Sequence, residues 1–571
     1  MIGPSIQKTT WRYQNMDEEQ VTPPIEDRYM AYRSVAGLLR QQAEQFADHD
    51  MLVLPKSVQA LWPAEPACLS YAEMQVAVSS LSEQYVSAGY RAGDRIALLL
   101  ENRPAHFLHW LALNAIAISV VPVNPQASAD ELDYLLSHSE ACLLVRLPEY
   151  ADRTDPIAAE LNISCCGPRH AIPPRAKPNQ PGVPDTQSEC ALIYTSGTTG
   201  RPKGCILSNR YFLNWADWYS RQQGLIALRP GRERLLTPLP TFHVNAMGHS
   251  FMGMLSCGGA QIIIDRFHPR SWWQDAVQTQ ATCFHYLGVM PAILHELPET
   301  ELERSHQMRF GLGGGVHPDH HARFEKRFGV PLLEGWAMTE TGGAGTMCDT
   351  TEPRHVGQRC IGRPSRPGPA VEVRLIGDDG AEVANGEAGE LLLRAPGPDP
   401  RLGFFSGYLK DEAATEAAWS GGWLHTGDVM RQDESGALFF VERKKNIIRR
   451  SGENIAAAEV EAAIASLAEV SAIAVLATDD PLREQEVLAV VVPTDGQKPA
   501  EQLVERIFAH CAAHLAYFKV PGYIVLVDAL PTTSTQKVQK ALLKPLADDP
   551  FSAAACFDLR TRKQALRQAL A

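Results

Sequence analysis

Eleven consecutive residues, Tyr194 to Gly204, read Tyr-Thr-Ser-Gly-Thr-Thr-Gly-Arg-Pro-Lys-Gly. The stretch combines Gly197, Gly200 and Gly204 with the hydroxyls of Thr195, Ser196, Thr198 and Thr199 and one lysine, Lys203. Such a loop can fold around a polyphosphate. Glycines let the backbone come close to oxyanions, successive N–H groups and hydroxyls donate to them, and the lysine supplies a point charge. The apolar run Ala191-Leu192-Ile193 just before it predicts the end of a strand. The spacing is not G-x-x-x-x-G-K-[ST], so the reading as a P-loop NTPase fails.

Six further segments carry chemistry-bearing types. Pro240-Thr241-Phe242-His243 ends in an imidazole, and Gly313-Gly314-Gly315-Val316 is a glycine cluster. Gly335-Trp336-Ala337-Met338-Thr339-Glu340 joins an aromatic face to a hydroxyl and a carboxylate, and His425-Thr426-Gly427-Asp428 places a carboxylate after a glycine. Glu442-Arg443-Lys444-Lys445-Asn446-Ile447-Ile448-Arg449-Arg450-Ser451-Gly452-Glu453-Asn454-Ile455 is basic, and Pro531-Thr532-Thr533-Ser534-Thr535-Gln536-Lys537 brings a lone lysine near the end of the chain. Taken singly, several have plainer readings: a packed histidine at a strand end for His243, a flexible turn for Gly313–Val316, a β-turn aspartate for Asp428 and a solvated basic turn for 442–455. His317, His320 and His321 lie together without the cysteines or carboxylates of a zinc pattern, and read as an exposed helix start with Pro318 in the first turn.

The elements that must position these residues follow from periodicity. Helical spacing covers 34–48, 71–88, 104–118 and 131–139; strands are predicted at 94–100, 120–123 and 142–145. Strand–helix alternation predicts a parallel α/β sheet. Six prolines between 166 and 186 mark a connector, and further α/β units fill 205–360. Residues 370–441 read as antiparallel strands joined by Asp/Gly turns. A small α/β unit runs from 443 to 545, with helices at 456–467 and 501–514 and strands at 472–476 and 487–492; the Ala-rich stretch 546–571 ends in a helix.

The chain has 571 residues, enough for several cores, with 45% hydrophobic and 21% charged residues. A net charge of −13 argues against general nucleic-acid binding. Twelve scattered cysteines without a C-x-x-C pair fit a reduced, cytoplasmic protein. No signal pattern and no long apolar run predict export or a transmembrane segment. A homodimer is left open.

Together, and in this order, the segments resemble the adenylate-forming, AMP-binding superfamily, and its acyl-CoA synthetase branch; the wording 450–455 is similar to carnitine/crotonobetaine-type CoA ligases. The resemblance implies a large N-terminal region, 1–441, of α/β layers plus a β-rich subdomain, and a small mobile α+β lid, 443–571, hinged at Glu442. It implies ATP, Mg²⁺ and CoA. The ATP site would comprise Thr195, Ser196, Gly197, Thr198, Thr199, Gly200, Lys203, Gly313, Gly314, Gly315, Gly335, Trp336, Ala337, Met338, Thr339, Asp428 and Arg443. Trp336 would stack on adenine, Thr339 would meet the α-phosphate, Glu340 would hold Mg²⁺ and Asp428 the ribose. His243 would meet the acyl carboxylate or the α-phosphate, and Lys537 would be the catalytic lysine. Ser451, Gly452 and Glu453 would line the CoA path; Asn245, Met247, Tyr286, Val289 and Met290 would line the acyl pocket. Four positions depart from the family pattern: Trp336 stands for Tyr, His425 for Arg, Glu442 for Asp and Gln536 for Gly. The expected activity is an acid–thiol ligase that makes an acyl-adenylate and then an acyl-CoA. The alternatives are an enzyme that loads a carrier protein, and a nucleotide-binding regulator.

Overall fold

The computed structural model describes residues 28–175, 182–195, 202–350, 352, 354–364, 371–450, 453–480, 483–494, 500–533 and 538–570. Ser196 to Gly200, Ser451, Gly452 and Lys537 lie outside them, and so do the side chains of Glu453 and Asn454.

A seven-stranded sheet is built around Arg95–Leu99, which pairs in parallel with Ser119–Pro122 and Leu143–Arg146. Its residues Ile96 to Leu99 are all at most 1% exposed, which is why this strand reads as a continuous apolar run. The helix predicted from Pro104 ends at Asn114, short of Ile118, because Ala117 takes a left-handed φ of 59°. The helix predicted from Glu131 starts earlier, at Ala129, because Ser128 and Glu131 form a reciprocal capping box. Strand β1 (Glu189–Thr195) joins this sheet in parallel and then runs antiparallel to β2 (Lys203–Ser208), with Thr195 opposite Lys203. The glycine-rich loop therefore connects two strands of a hairpin. Helix α1 (Asn209–Ser220) follows, capped by Ser208.

An eight-stranded sheet carries three parallel neighbours, β3 (Cys283–Leu287), β4 (Phe310–Gly314) and β5 (Leu332–Trp336). Their C-terminal ends lie side by side. The helix Pro318–Phe328 has Pro318 in its first turn, as predicted, but it is not wholly exposed: His321 is buried at 3%, because its ring reaches inward to the carbonyl of Leu332 at 3.0 Å.

Five strands drawn from between Cys360 and Arg443 form an antiparallel sheet that contains β6 (Ala388–Arg394), β7 (Leu424–Gln432) and β8 (Leu438–Arg443). After the turn Lys444–Asn446, a last sheet begins with the hairpin β9 (Ile447–Arg450) and β10 (Glu453–Ala456), which leads into helix α2 (Ala457–Ala465). Strand β11 (Glu484–Pro493) is central here and pairs with the long strand Val470–Asp480. Both outrun their predicted lengths, because the ladder continues through Asp479 and Asp480 to Glu484. The predicted final helix is α3 (Arg560–Leu570). This last unit has its own apolar core, which includes Ile448, Val460, Val487, Ile507 and Ile524. Among the described residues no helix is long and apolar enough to cross a membrane, and all twelve cysteines are free.

Candidate active site

The turn after β5 carries Trp336, Thr339 and Glu340, and it is pinned from several directions. The phenol of Tyr211, on α1, donates to the carbonyl of Thr339 at 2.8 Å. Thr341 Oγ1 accepts from the N–H of Met338 at 2.9 Å, and the N–H of Phe405 donates to the carbonyl of Glu340 at 3.0 Å. Glu340 is buried, and its Oε1 accepts the phenol of Tyr408 at 2.9 Å and faces the thiol of Cys205 at 3.8 Å. Lys203, the first residue of β2, places its Nζ 4.9 Å from the centre of the Tyr408 ring. Burial, and after it the Glu340 charge, push the Tyr408 phenol far above the ordinary tyrosine range, so it stays a donor. Tyr408 thus ties the base of the glycine loop to the Thr339–Glu340 turn.

Asp428 is presented by a break in the β6–β7 ladder. Leu392 pairs with His425 and Glu390 with Val429, so Thr426, Gly427 and Asp428 stand opposite Leu391 alone. Gly427 has φ 66°, a conformation that disfavours side chains. The indole N–H of Trp336 donates to Asp428 Oδ2 at 2.8 Å, and Arg443 Nε lies 2.6 Å from Asp428 Oδ1. The polar edge that tryptophan brings in place of tyrosine is therefore spent on the aspartate of another motif. His425 points elsewhere: its Nδ1 lies 3.5 Å from Glu390, which also takes Lys444 at 2.8 Å and the N–H of Gly427 at 3.2 Å.

At the ends of β3 to β5 the backbones crowd. A Cβ on Gly313 would fall 2.2 Å from the carbonyl oxygen of Tyr286, and one on Gly314 would fall 2.9 Å from that of Gly335. Only glycine fits there. Of the predicted acyl-pocket residues, Met247, Tyr286 and Met290 are buried, Asn245 is half-buried and Val289 is exposed. The Tyr286 hydroxyl is committed to the Leu333 carbonyl at 3.1 Å. Asn245 opens a π-helical turn, Asn245–Phe251, two residues after His243, which is exposed and packs its ring 4.6 Å from Phe242. Thr195 is half-buried at the end of β1, Gly335 and Met338 are half-buried, and Ala337 is exposed.

Glu442 is 5% exposed and sits at the junction with the last unit. Its Oε1 accepts from Arg443 N at 2.8 Å and Asn446 Nδ2 at 3.2 Å, and its Oε2 accepts from Ala458 N, in the first turn of α2, at 2.8 Å. A carboxylate at a helix N-terminus is well placed electrostatically. Among the described residues the one group of mixed metal-ligand types lies elsewhere, at Asp349, His355 and Cys360. There His355 donates its N–H to Asp349 at 2.9 Å, and burial pushes the Cys360 thiol up to about 12, so it remains protonated.

Tyr408, Glu390 and Cys205 carry no signal in the sequence. Each is a single residue outside a recognisable pattern and meets its partner only through tertiary contact; for Tyr408 and Cys205 that contact comes from the pairing of Gly407–Tyr408 with Ile206 and Cys205.

Residues 39–409 match the AMP-binding enzyme family, and residues 459–537 match the AMP-binding enzyme C-terminal domain. The crotonobetaine/carnitine–CoA ligase of Proteus mirabilis (strain HI4320) is 30% identical over 498 residues, covering 83% of this chain and 93% of that protein. The ligase of the same name from Salmonella typhimurium (strain LT2) is 30% identical over 496 residues, with the same coverage of 83% and 93%. Among solved structures, ATP-bound MatB from Rhodopseudomonas palustris superposes with a TM-score of 0.75 at 23% identity, over 90% of this chain and 99% of that one. The anthranilate CoA ligase AuaEII in complex with anthranoyl-AMP superposes with a TM-score of 0.79 at 19% identity, over 92% and 100%. With its motifs drawn together by Trp336, Tyr408 and Asp428, and with both family domains matched, the chain belongs to the AMP-binding enzyme family, in its acyl-CoA ligase branch.

Proposed function

We propose that this chain is an ATP-dependent acyl-CoA ligase. A carboxylate attacks the α-phosphate of ATP, the bond to pyrophosphate breaks, and CoA then displaces AMP from the acyl-adenylate through its thiol. The carrying observation is one line of contacts through distant motifs: Lys203 to Tyr408, Tyr408 to Glu340, Trp336 to Asp428 and Asp428 to Arg443.

In this reading the chain positions and neutralises charge rather than supplying covalent chemistry. The β1–β2 loop, with Thr195, Ser196, Gly197, Thr198, Thr199, Gly200 and Lys203, holds the polyphosphate. Trp336 offers its face to adenine while its N–H keeps Asp428 oriented toward the ribose hydroxyls. Gly313 to Gly315, Gly335, Ala337 and Met338 line the nucleotide's path; Thr339 and His243 face the α-phosphate and the attacking carboxylate. Glu340 would hold Mg²⁺. With Oε1 engaged by Tyr408, its Oε2 is left for a cation, and one carboxylate plus substrate phosphates is a donor set this ion accepts. When bound, the ion offsets charge between phosphates. Glu442 divides the large region, 1–441, from a lid, 443–571, and the lid rotates between the two half-reactions, presenting Lys537 in one and Ser451, Gly452 and Glu453 in the other. Asn245, Met247, Tyr286, Val289 and Met290 surround the acyl group. The free cysteines fit a cytoplasmic enzyme, and a homodimer is the assembly to test by light scattering.

Pyrophosphate release across a panel of carboxylic acids, carnitine and crotonobetaine included, tests the activity; an AMP-forming signal with no acid, or acyl transfer to a carrier protein but not to CoA, overturns it. Two substitutions test the site. Glu340→Gln keeps the shape but removes the charge a hard cation needs, so turnover falls and the Mg²⁺ concentration for half-activity rises; an unchanged Mg²⁺ dependence rejects the assignment. Asp428→Asn removes a charged acceptor worth about 1.5–3 kcal/mol per hydrogen bond, so KM for ATP rises by roughly ten- to a hundredfold. A wild-type KM for ATP would remove Asp428 from the ribose site.

A further inference from the structure

The last unit buries three charges together. Arg450, at the end of β9, is 5% exposed in its side chain, Glu486 on β11 is 0% and Lys563 on α3 is 1%. Arg450 Nε donates to both carboxylate oxygens of Glu486, at 2.9 and 2.8 Å, and Lys563 Nζ donates to Oε1 at 2.6 Å. Two cations thus share one carboxylate away from water, an arrangement that costs desolvation and survives only where geometry holds it. The geometry is firm. A Cβ on Gly522 would fall 2.3 Å from Glu486 Cγ, so the carboxylate is walled in. Helix α3 is held on its other faces as well: the Arg560 guanidinium carbon lies 4.8 Å from the centre of the Tyr523 ring, that of Arg562 lies 4.7 Å from the centre of the Phe508 ring, and Arg562 pairs with Glu505.

Arg450 is the residue directly before Ser451-Gly452, and it pairs across the hairpin with Glu453 and across the sheet with Glu484. Whatever fixes Arg450 therefore fixes the base of that turn. Lys563 comes from beyond residue 537, where the match to the C-terminal family domain ends. The geometry points to Lys563 as a positioning residue for the thiol half-reaction: through Glu486 it sets the arginine that anchors the turn past which CoA reaches the acyl-adenylate. This rests on the reading of residues 451–453 as the CoA path.

The charge on Lys563 makes the role measurable. Burial first, opposed by Glu486 and reinforced by Arg450 and Arg483, lowers its pKa to about 8, so its proton leaves in an accessible range. Above that pH the Glu486–Arg450 pair remains, balanced but no longer drawn toward α3. Lys563→Met leaves the same balanced pair at every pH, so the unit keeps its fold. The experiment measures binding of desulfo-CoA, which has no thiol to ionise, in the presence of AMP, from about pH 7 to about pH 9.5. Wild-type enzyme is expected to lose affinity as pH rises through the titration of Lys563. Lys563→Met is expected to bind about tenfold more weakly at pH 7 with a flat profile, while pyrophosphate release from acid and ATP keeps its wild-type KM values. Wild-type affinity in Lys563→Met, or a flat profile in the wild type itself, overturns the proposal; the second readout needs no variant to fold. Gly452→Leu separates the two levels. If it abolishes desulfo-CoA binding while Lys563→Met matches wild type, only the role of Lys563 fails. If Gly452→Leu binds as wild type does, the CoA path itself lies elsewhere and the proposal falls with it.

Discussion

Replacing Lys537 with alanine is expected to slow acyl-adenylate formation by about 10²–10³-fold while leaving the conversion of acyl-AMP and CoA to acyl-CoA close to the wild-type rate. The first step moves charge from an attacking carboxylate to a departing pyrophosphate, and one well-aimed ammonium bridging carboxylate and α-phosphate is worth that much when removed. The second step needs no such bridge. Lys537 itself lies outside the described residues, but the base of its loop is held: Thr532 and Val538 form an antiparallel bridge, and Gln539 N donates to the Pro531 carbonyl at 2.8 Å. Lys540 pairs at 2.8 Å with Glu461 of α2, which ties the loop to the core of the last unit. The two half-reactions, assayed separately by pyrophosphate release and by acyl-CoA from synthetic acyl-AMP, decide the matter. Equal losses in both would mean that Lys537 supports the fold or the lid instead of the chemistry.

The complementary result is expected from Gly452→Leu: acyl-CoA formation from acyl-AMP falls by at least about 10²-fold, and pyrophosphate release is spared. Arg450 and Glu453 close the β9–β10 hairpin around a two-residue loop, Ser451-Gly452. Two-residue hairpin connections favour residues that tolerate positive φ. A leucine there meets whatever passes the turn. Acyl-CoA made from acyl-AMP at the wild-type rate would remove the turn from the thiol's route.

Much of the fold and of the candidate site is legible in the amino-acid sequence, for identifiable reasons. The proposed phosphate and nucleotide contacts fall on short contiguous runs, so Tyr194–Gly204, Gly335–Glu340 and His425–Asp428 declare themselves by type and spacing. Strands buried on both faces, such as Arg95–Leu99, declare themselves by continuous apolarity. What stays hidden is whatever depends on a partner far away in the chain. Tyr408 looks like any tyrosine until the pairing of Gly407–Tyr408 with β2 brings it between Lys203 and Glu340. Glu390 sits in an apolar strand with nothing to announce that it holds His425, Gly427 and Lys444. His321 reads as surface because its neighbours are polar, yet it lies on the inner side of its helix. Strand lengths are misjudged where local punctuation misleads: Asp479 and Asp480 resemble a turn but continue a ladder.

Glu442 carries one more implication, for the resting population of the enzyme. Its carboxylate belongs to β8, yet one oxygen accepts from the first turn of α2. If the last unit is the swivelling lid proposed above, it gives up that bond each time it turns. A charged hydrogen bond of about 1.5–3 kcal/mol biases the empty enzyme toward one orientation by roughly ten- to a hundredfold. A ligand can overturn such a bias only through its preference for the other orientation, by at least the same factor. In that reading the order of the two half-reactions is governed by which molecules occupy the cleft, with idle excursions of the proposed lid kept rare by a single acidic side chain.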